Sequence, residues 1–201
     1  TLRLVVTAGG GDVNHSDETE EGEDDAGVTA LITACEQRRN GSAELVRVLL
    51  GVPGCDCNGR DAQGYTALIH AVIRAINLAH RAAGPRRATD EDLQELIDVT
   101  TIVRLLVENA TLDPNICNNA GFTPLMIACA AGGLPTGQRI VKLLLAHGSI
   151  DVSVQIMGPF PENDWPRGLP KPLPVGTTGM SALKIATYNK YWSVCVALLT
   201  A

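Results

Sequence analysis

The sequence predicts an all-α fold, a solenoid of stacked helix-turn-helix repeats with short hairpin turns and long inserted loops. Three observations predict it. First, one helix-start pattern recurs four times in the 201 residues: Gly27-Val28-Thr29-Ala30-Leu31-Ile32-Thr33-Ala34, Gly64-Tyr65-Thr66-Ala67-Leu68-Ile69-His70-Ala71, Gly121-Phe122-Thr123-Pro124-Leu125-Met126-Ile127-Ala128 and Gly179-Met180-Ser181-Ala182-Leu183-Lys184-Ile185-Ala186. Second, each copy is followed by another apolar run, at residues 45–50, 102–107, 140–145 and 194–199. Third, 45% of residues are hydrophobic but only 3% are aromatic. A core of Leu, Ile, Val and Ala suits closely stacked helices better than a sandwich or barrel, which draws on aromatic residues.

The copy at 121–132 is the best formed. Gly121 permits a positive φ, Thr123 can cap the first helical amides, and Pro124 at the first helical position forfeits no bond. Leu125 and Ala128 share one helix face. Small residues at 128, 130 and 131 leave room for a neighbouring helix, and the glycines after them stop the segment. Three of the second helices end in polar turns carrying Asp and usually Asn: Cys55-Asp56-Cys57-Asn58, Leu112-Asp113-Pro114-Asn115 and Ile150-Asp151-Val152-Ser153.

These residues resemble the ankyrin repeat, whose consensus runs G-x-T-P-L-H-x-A-A, then I-V-x-L-L-L, then G-A-D-V-N. The resemblance covers nearly the whole chain, and four starts in register with their second helices and turns are a specific signal. It implies one ankyrin-repeat domain over 1–201: a partial repeat at 1–14, an acidic insertion at 15–26, repeats at 27–63, 64–120 and 121–178, and a terminal repeat at 179–201. The chain begins and ends inside apolar patterns and is expected to be a piece of a larger protein.

The departures from the repeat carry more information. The helix-start hydroxyls stand at 29, 66, 123 and 181, giving gaps of 37, 57 and 58 residues, against a period of about 33. In the second repeat the excess falls between the paired helices. A continuous helix is expected from Thr66 to about Ala82, a turn at Gly84-Pro85, and a capping box at Thr89-Asp90-Glu91-Asp92 opening a helix to about Glu108. This extended hairpin carries His80, Arg81, Arg86 and Arg87 near its tip, either as a solvated end or as a docking knob. In the third repeat the excess is the proline-rich loop 157–178, which excludes helix and central strand and serves as a mobile linker or as a binding loop anchored by Trp165. The like-charge run at 15–25 is expected to stay extended, and it carries most of the net charge of −6.

That charge argues against nucleic acid as the main partner, because phosphate binding needs clustered cations. No apolar run reaches the length of a membrane span and no signal sequence is evident, so direct membrane insertion is not expected and an intracellular, cytoplasmic location is. The six cysteines read mainly as small buried hydrophobes in a reducing compartment. Cys55-x-Cys57, with Cys117 in the equivalent turn, lacks the spacing and ligand number of a structural zinc site. No metal or other cofactor is expected. No nucleophile elbow, phosphate loop, dinucleotide fingerprint or zinc-protease helix occurs, so the chain is not read as an enzyme. His147, assigned to a last helical turn, suits the helix dipole.

What the resemblance implies is a concave face of first helices and turn tips that binds a protein or peptide. Carried over by position, the contact residues are Thr33 and Gln37, His70 and Arg74, Ile127 and Ala131, and Lys184 and Tyr188, with Arg60, Gln63, Asn118 and Asn119 at the turn tips; the inserted loop adds Trp165 on its own sequence. An alternative is the cytosolic regulatory portion of a larger enzyme or ion channel. Tyr188, Tyr191 and Trp192 gather aromatics in the last repeat and could support self-association.

Overall fold

The computed structural model describes residues 12–15, 27–36, 41–84, 88–156 and 179–201. The acidic run from residue 16 to 26, Gln37, the hairpin tip with Arg86 and Arg87, and the loop 157–178 with Trp165 lie outside the described residues.

Eight helices occur among the described residues: α1 Ala30–Glu36, α2 Ser42–Leu50, α3 Ala67–Ala82, α4 Asp90–Val107, α5 Pro124–Ala130, α6 Pro135–Leu145, α7 Ala182–Tyr188 and α8 Trp192–Leu199. Local chemistry starts the first helix of each pair. The hydroxyls of Thr29, Thr66, Thr123 and Ser181 each accept a hydrogen bond from the amide three residues on: Ile32, Ile69, Met126 and Lys184. Such a cap satisfies a helix donor that would otherwise lack a partner. Thr89 and Asp92 complete a reciprocal capping box at the start of α4.

The helices form two layers. α1, α3, α5 and α7 pack side by side as one row, α2, α4, α6 and α8 as the other, and each pair packs across the layers. The core between them is aliphatic, with Ile69, Ile76, Ile102, Leu106, Ile127 and Ile140 almost fully buried. Burying each such side chain contributes about 1.5–3 kcal/mol. α1, α5 and α7 are 7 residues long, whereas α3 and α4 have 16 and 18. The added length in α3 is not bare, since Ile76, Leu78 and Ala79 are buried. On the other arm Leu93 and Ile97 of α4 are 47% and 58% exposed.

The polar turns make a hydrogen-bonded edge along the stack. Asn14 donates to the Gly54 carbonyl at 2.8 Å and accepts from the Asp56 amide at 2.7 Å. Asn58 makes the same pair of bonds to Thr111 and Asp113, and Asn115 to Ser149 and Asp151. Each Asn side chain therefore ties its own turn to the backbone of the next. Within each turn an aspartate, Asp12, Asp56, Asp113 or Asp151, accepts from the amide two residues on. Ser153 stands where the three asparagines stand in the other turns, and its hydroxyl bonds Asp151. An antiparallel bridge between Ile156 and Met180 closes the two ends of the proline-rich loop.

Candidate functional site

The turn tips are joined to each other. Arg60 Nη2 donates to Asn119 Oδ1 at 3.0 Å, Asn119 Nδ2 donates to the Ala62 carbonyl at 2.9 Å, and the Asn119 amide donates to the Gln63 carbonyl at 3.0 Å. Arg60, Gln63 and Asn119 remain exposed. Asn118 is 3% exposed, and its Oδ1 accepts the Phe122 amide at 2.8 Å. The expected contact role of Asn118 is corrected: it is an interior turn residue, equivalent to Asp61, which accepts the Gln63 and Tyr65 amides.

His70 also belongs to that turn. Its Nε2 donates to Asp61 Oδ2 at 2.7 Å, and its ring lies 5.4 Å from the ring of Tyr65. Because the carboxylate can only accept, this bond sets the proton on Nε2. Thr33 is half-buried and its hydroxyl bonds the Thr29 carbonyl within α1.

Four other contact positions differ from expectation. Arg74 is 7% exposed, and its guanidinium is held by Glu95 Oε1 at 3.2 Å and by the Cys35 carbonyl at 3.3 Å. It joins α1, α3 and α4 and is no open contact. Ile127 and Ala131 are each 1% exposed, because α5 is flanked by α3 and α7 and covered by α6. Lys184 is exposed but one residue out of register. The caps put it level with Ile69 and Met126, so Ile185 is the counterpart of His70 and Ile127. Tyr188, at 55% exposure, lies on the surface. α6 ends at Leu145, so His147 sits in the following turn, where its Nδ1 meets Ser149 Oγ at 2.9 Å.

The concave feature not foreseen is a cavity of about 100 Å³ along the extended α3, lined by His70, Ile73, Arg74, Asn77, Leu78 and Arg81. These residues follow one helical stripe, at spacings of three and four. Each basic group of the stripe has a carboxylate partner: Asp61 holds His70, Glu95 holds Arg74, and Asp92 holds Arg81 at 3.0 Å. Ile73 and Asn77 were not singled out, although their spacing from His70 is legible in the sequence, and Arg81 was named only with the hairpin tip.

The cysteines are free, and no group of three His, Cys, Asp or Glu among the described residues is placed to hold a metal ion. Burial pushes the Cys35 thiol up to about 12 and the Cys55 thiol up to about 11, and raises that of Cys129 as well. Thiols so raised are poor nucleophiles at neutral pH. No helix of the described residues is long and apolar enough to cross a membrane.

Two stretches of the chain match known family models. Residues 8–71 match a family model described as ankyrin repeats (many copies), and residues 98–201 match one described as ankyrin repeats (3 copies). No curated protein matches the chain. The interval 72–97 between the two matches holds most of the cavity lining and the inner arms of the extended hairpin.

Proposed function

The chain belongs to the ankyrin-repeat family, and from that premise we propose that it is a non-catalytic module that binds a protein or peptide through the row of first helices, with the extended hairpin as the discriminating element. Ankyrin repeats are generally protein-interaction modules. The observation that carries the finer reading is that the cavity on α3 falls largely in the stretch that the family models do not span. A repeat that only had to stack would not need it.

The chemistry of the stripe favours a ligand with acidic or carbonyl acceptors. Arg81 is half-exposed, so its guanidinium can turn from Asp92 to a ligand carboxylate. Ile73 and the stem of Arg81 offer apolar area beside it. The proline-rich loop is read as a second contributor on its sequence alone.

The test is affinity capture from cell extract with the chain and with an Asn77→Lys/Arg81→Glu variant of unchanged thermal unfolding. A specific partner should be recovered by the first and lost by the second. Recovery of no specific partner, or equal recovery by both, would sink the reading.

A further inference from the structure

The three carboxylates that partner the basic groups of the α3 stripe are not equally able to let go. The side chains of His70 and Asp61 are 18% and 4% exposed, and those of Arg74 and Glu95 are 6% and 13% exposed. Parting either pair would leave a polar or charged side chain buried without its partner, which carries a large penalty. Arg81 and Asp92, at 49% and 21%, both reach water.

Asp92 also has a second hold. Its Oδ1 accepts from Arg81 Nη2 at 3.0 Å, while its Oδ2 accepts from the Thr89 amide at 3.0 Å and from the Thr89 hydroxyl at 2.7 Å. The two Thr89 bonds, more than Arg81, keep its carboxyl below the ordinary value. The carboxylate therefore stays ionised and hydrogen-bonded when the guanidinium leaves it. Arg81 stands at the outer end of the cavity, so the group it turns to is a ligand.

We infer that Asp92 is a built-in competitor at the α3 cavity: its carboxylate occupies Arg81 in place of a ligand carboxylate, which binds by displacing it. This rests on the reading of that cavity as the contact site. The step exchanges one charge-assisted hydrogen bond for another, and Asp92 falls back on Thr89. A carboxylate alone gains little from such an exchange, so binding also requires apolar contact beside Ile73. From Ile73 to Arg81 the helix rises about 12 Å, a span that three or four residues of extended peptide cover at about 3.3 Å each. The ligand class is accordingly a peptide that carries an apolar side chain and a carboxylate at that separation.

The probe is acetyl-Leu-Gly-Gly-Glu-amide, with its Gln counterpart as the uncharged control, titrated into labelled chain while the Arg81 Nε–H resonance is followed by NMR. Asp92→Asn keeps an acceptor for the Thr89 amide and removes the charge. It should bind the Glu peptide about three- to fivefold more tightly than the parent, the range open to one half-exposed ion pair, and gain nothing for the Gln peptide. Asp90→Asn takes the same charge from the same turn of α4 without touching the pair and should leave both affinities unchanged. An equal gain in Asp90→Asn would make the effect one of net charge, and equal Glu-peptide binding by the parent and Asp92→Asn would remove the competitor while leaving the site. Either result overturns the inference. A Glu peptide that moves Arg81 in neither protein overturns the cavity reading along with it.

Discussion

Replacing Arg74 with methionine keeps most of the side-chain volume and removes the cation that joins three helices. Its Nη2 and Nε lie 3.2 and 3.4 Å from Glu95 Oε1, and Nη1 donates to the Cys35 carbonyl at the end of α1. The two charged side chains are only 6% and 13% exposed. Removing one member of a buried pair costs about 3–5 kcal/mol, mainly because the other charge is left uncompensated. The long N···O distances and the residual exposure of Glu95 place the cost near the lower end, about 3 kcal/mol. In a chain of this size that lowers the unfolding midpoint by about 6–12 °C. Urea unfolding followed by circular dichroism on Arg74→Met, Glu95→Leu and the double variant measures it. The double variant removes both charges and should recover to within about 1 kcal/mol of the parent. A single-variant loss below about 1 kcal/mol, or a double-variant loss equal to the sum of the singles, would refute the assignment.

Three further outcomes are expected. Asn58→Ala deletes both bonds to the following turn and should cost about 1–2 kcal/mol in urea unfolding, with Asn58→Asp losing less because it keeps the acceptor for the Asp113 amide. Gly64 and Gly54 both have a positive φ, but a Cβ at Gly64 would lie 2.7 Å from the Asn119 amide nitrogen while one at Gly54 meets nothing within 4 Å. Gly64→Ala should therefore cost clearly more than the strain of about 1 kcal/mol expected for Gly54→Ala, and equal losses would count against the close stacking of the tips. Asp92 is held below its ordinary value of 3.8 by the Thr89 hydroxyl and amide, with a smaller contribution from Arg81. A depressed folded value means the capping box supports α4 above the ordinary value and is lost as pH falls through the lowered one. Carboxyl titration by NMR should show Asp92 moving back toward 3.8 in Thr89→Val.

The elements legible in the sequence were those whose cause is local. Thr66, Thr89, Thr123 and Pro124 act within one helical turn, so they marked helix starts without any knowledge of neighbours. Counting between equivalent hydroxyls placed the extra length of the second repeat between its paired helices, where α3 and α4 carry it. The surface roles were less legible because burial is decided by distant partners. Arg74 is taken up by Glu95, 21 residues on, and by Cys35, 39 residues back. Ile127 lies on a helix with neighbours on three sides, which no pattern within the helix reveals. Lys184 looked equivalent to His70 only when counted from the wrong residue, and the bond from its amide to Ser181 fixes the count. The cavity on α3 was readable as a stripe but not as a hollow, since a hollow also depends on what the adjacent helices leave open.

The asparagine rungs have a consequence for how such a chain can change over time. The donor and acceptor residues they join are separated by 40, 53 and 34 positions, yet each Asn nitrogen lies 2.8 Å from its carbonyl. The distance between neighbouring turns is thus measured across space by one amide side chain, independently of how much polypeptide intervenes. Lengthening or shortening the segment between two rungs leaves the gauge untouched. The hairpin between Asn58 and Thr111 can accordingly be exchanged for one of another length while the spacing of the turns is inherited unaltered.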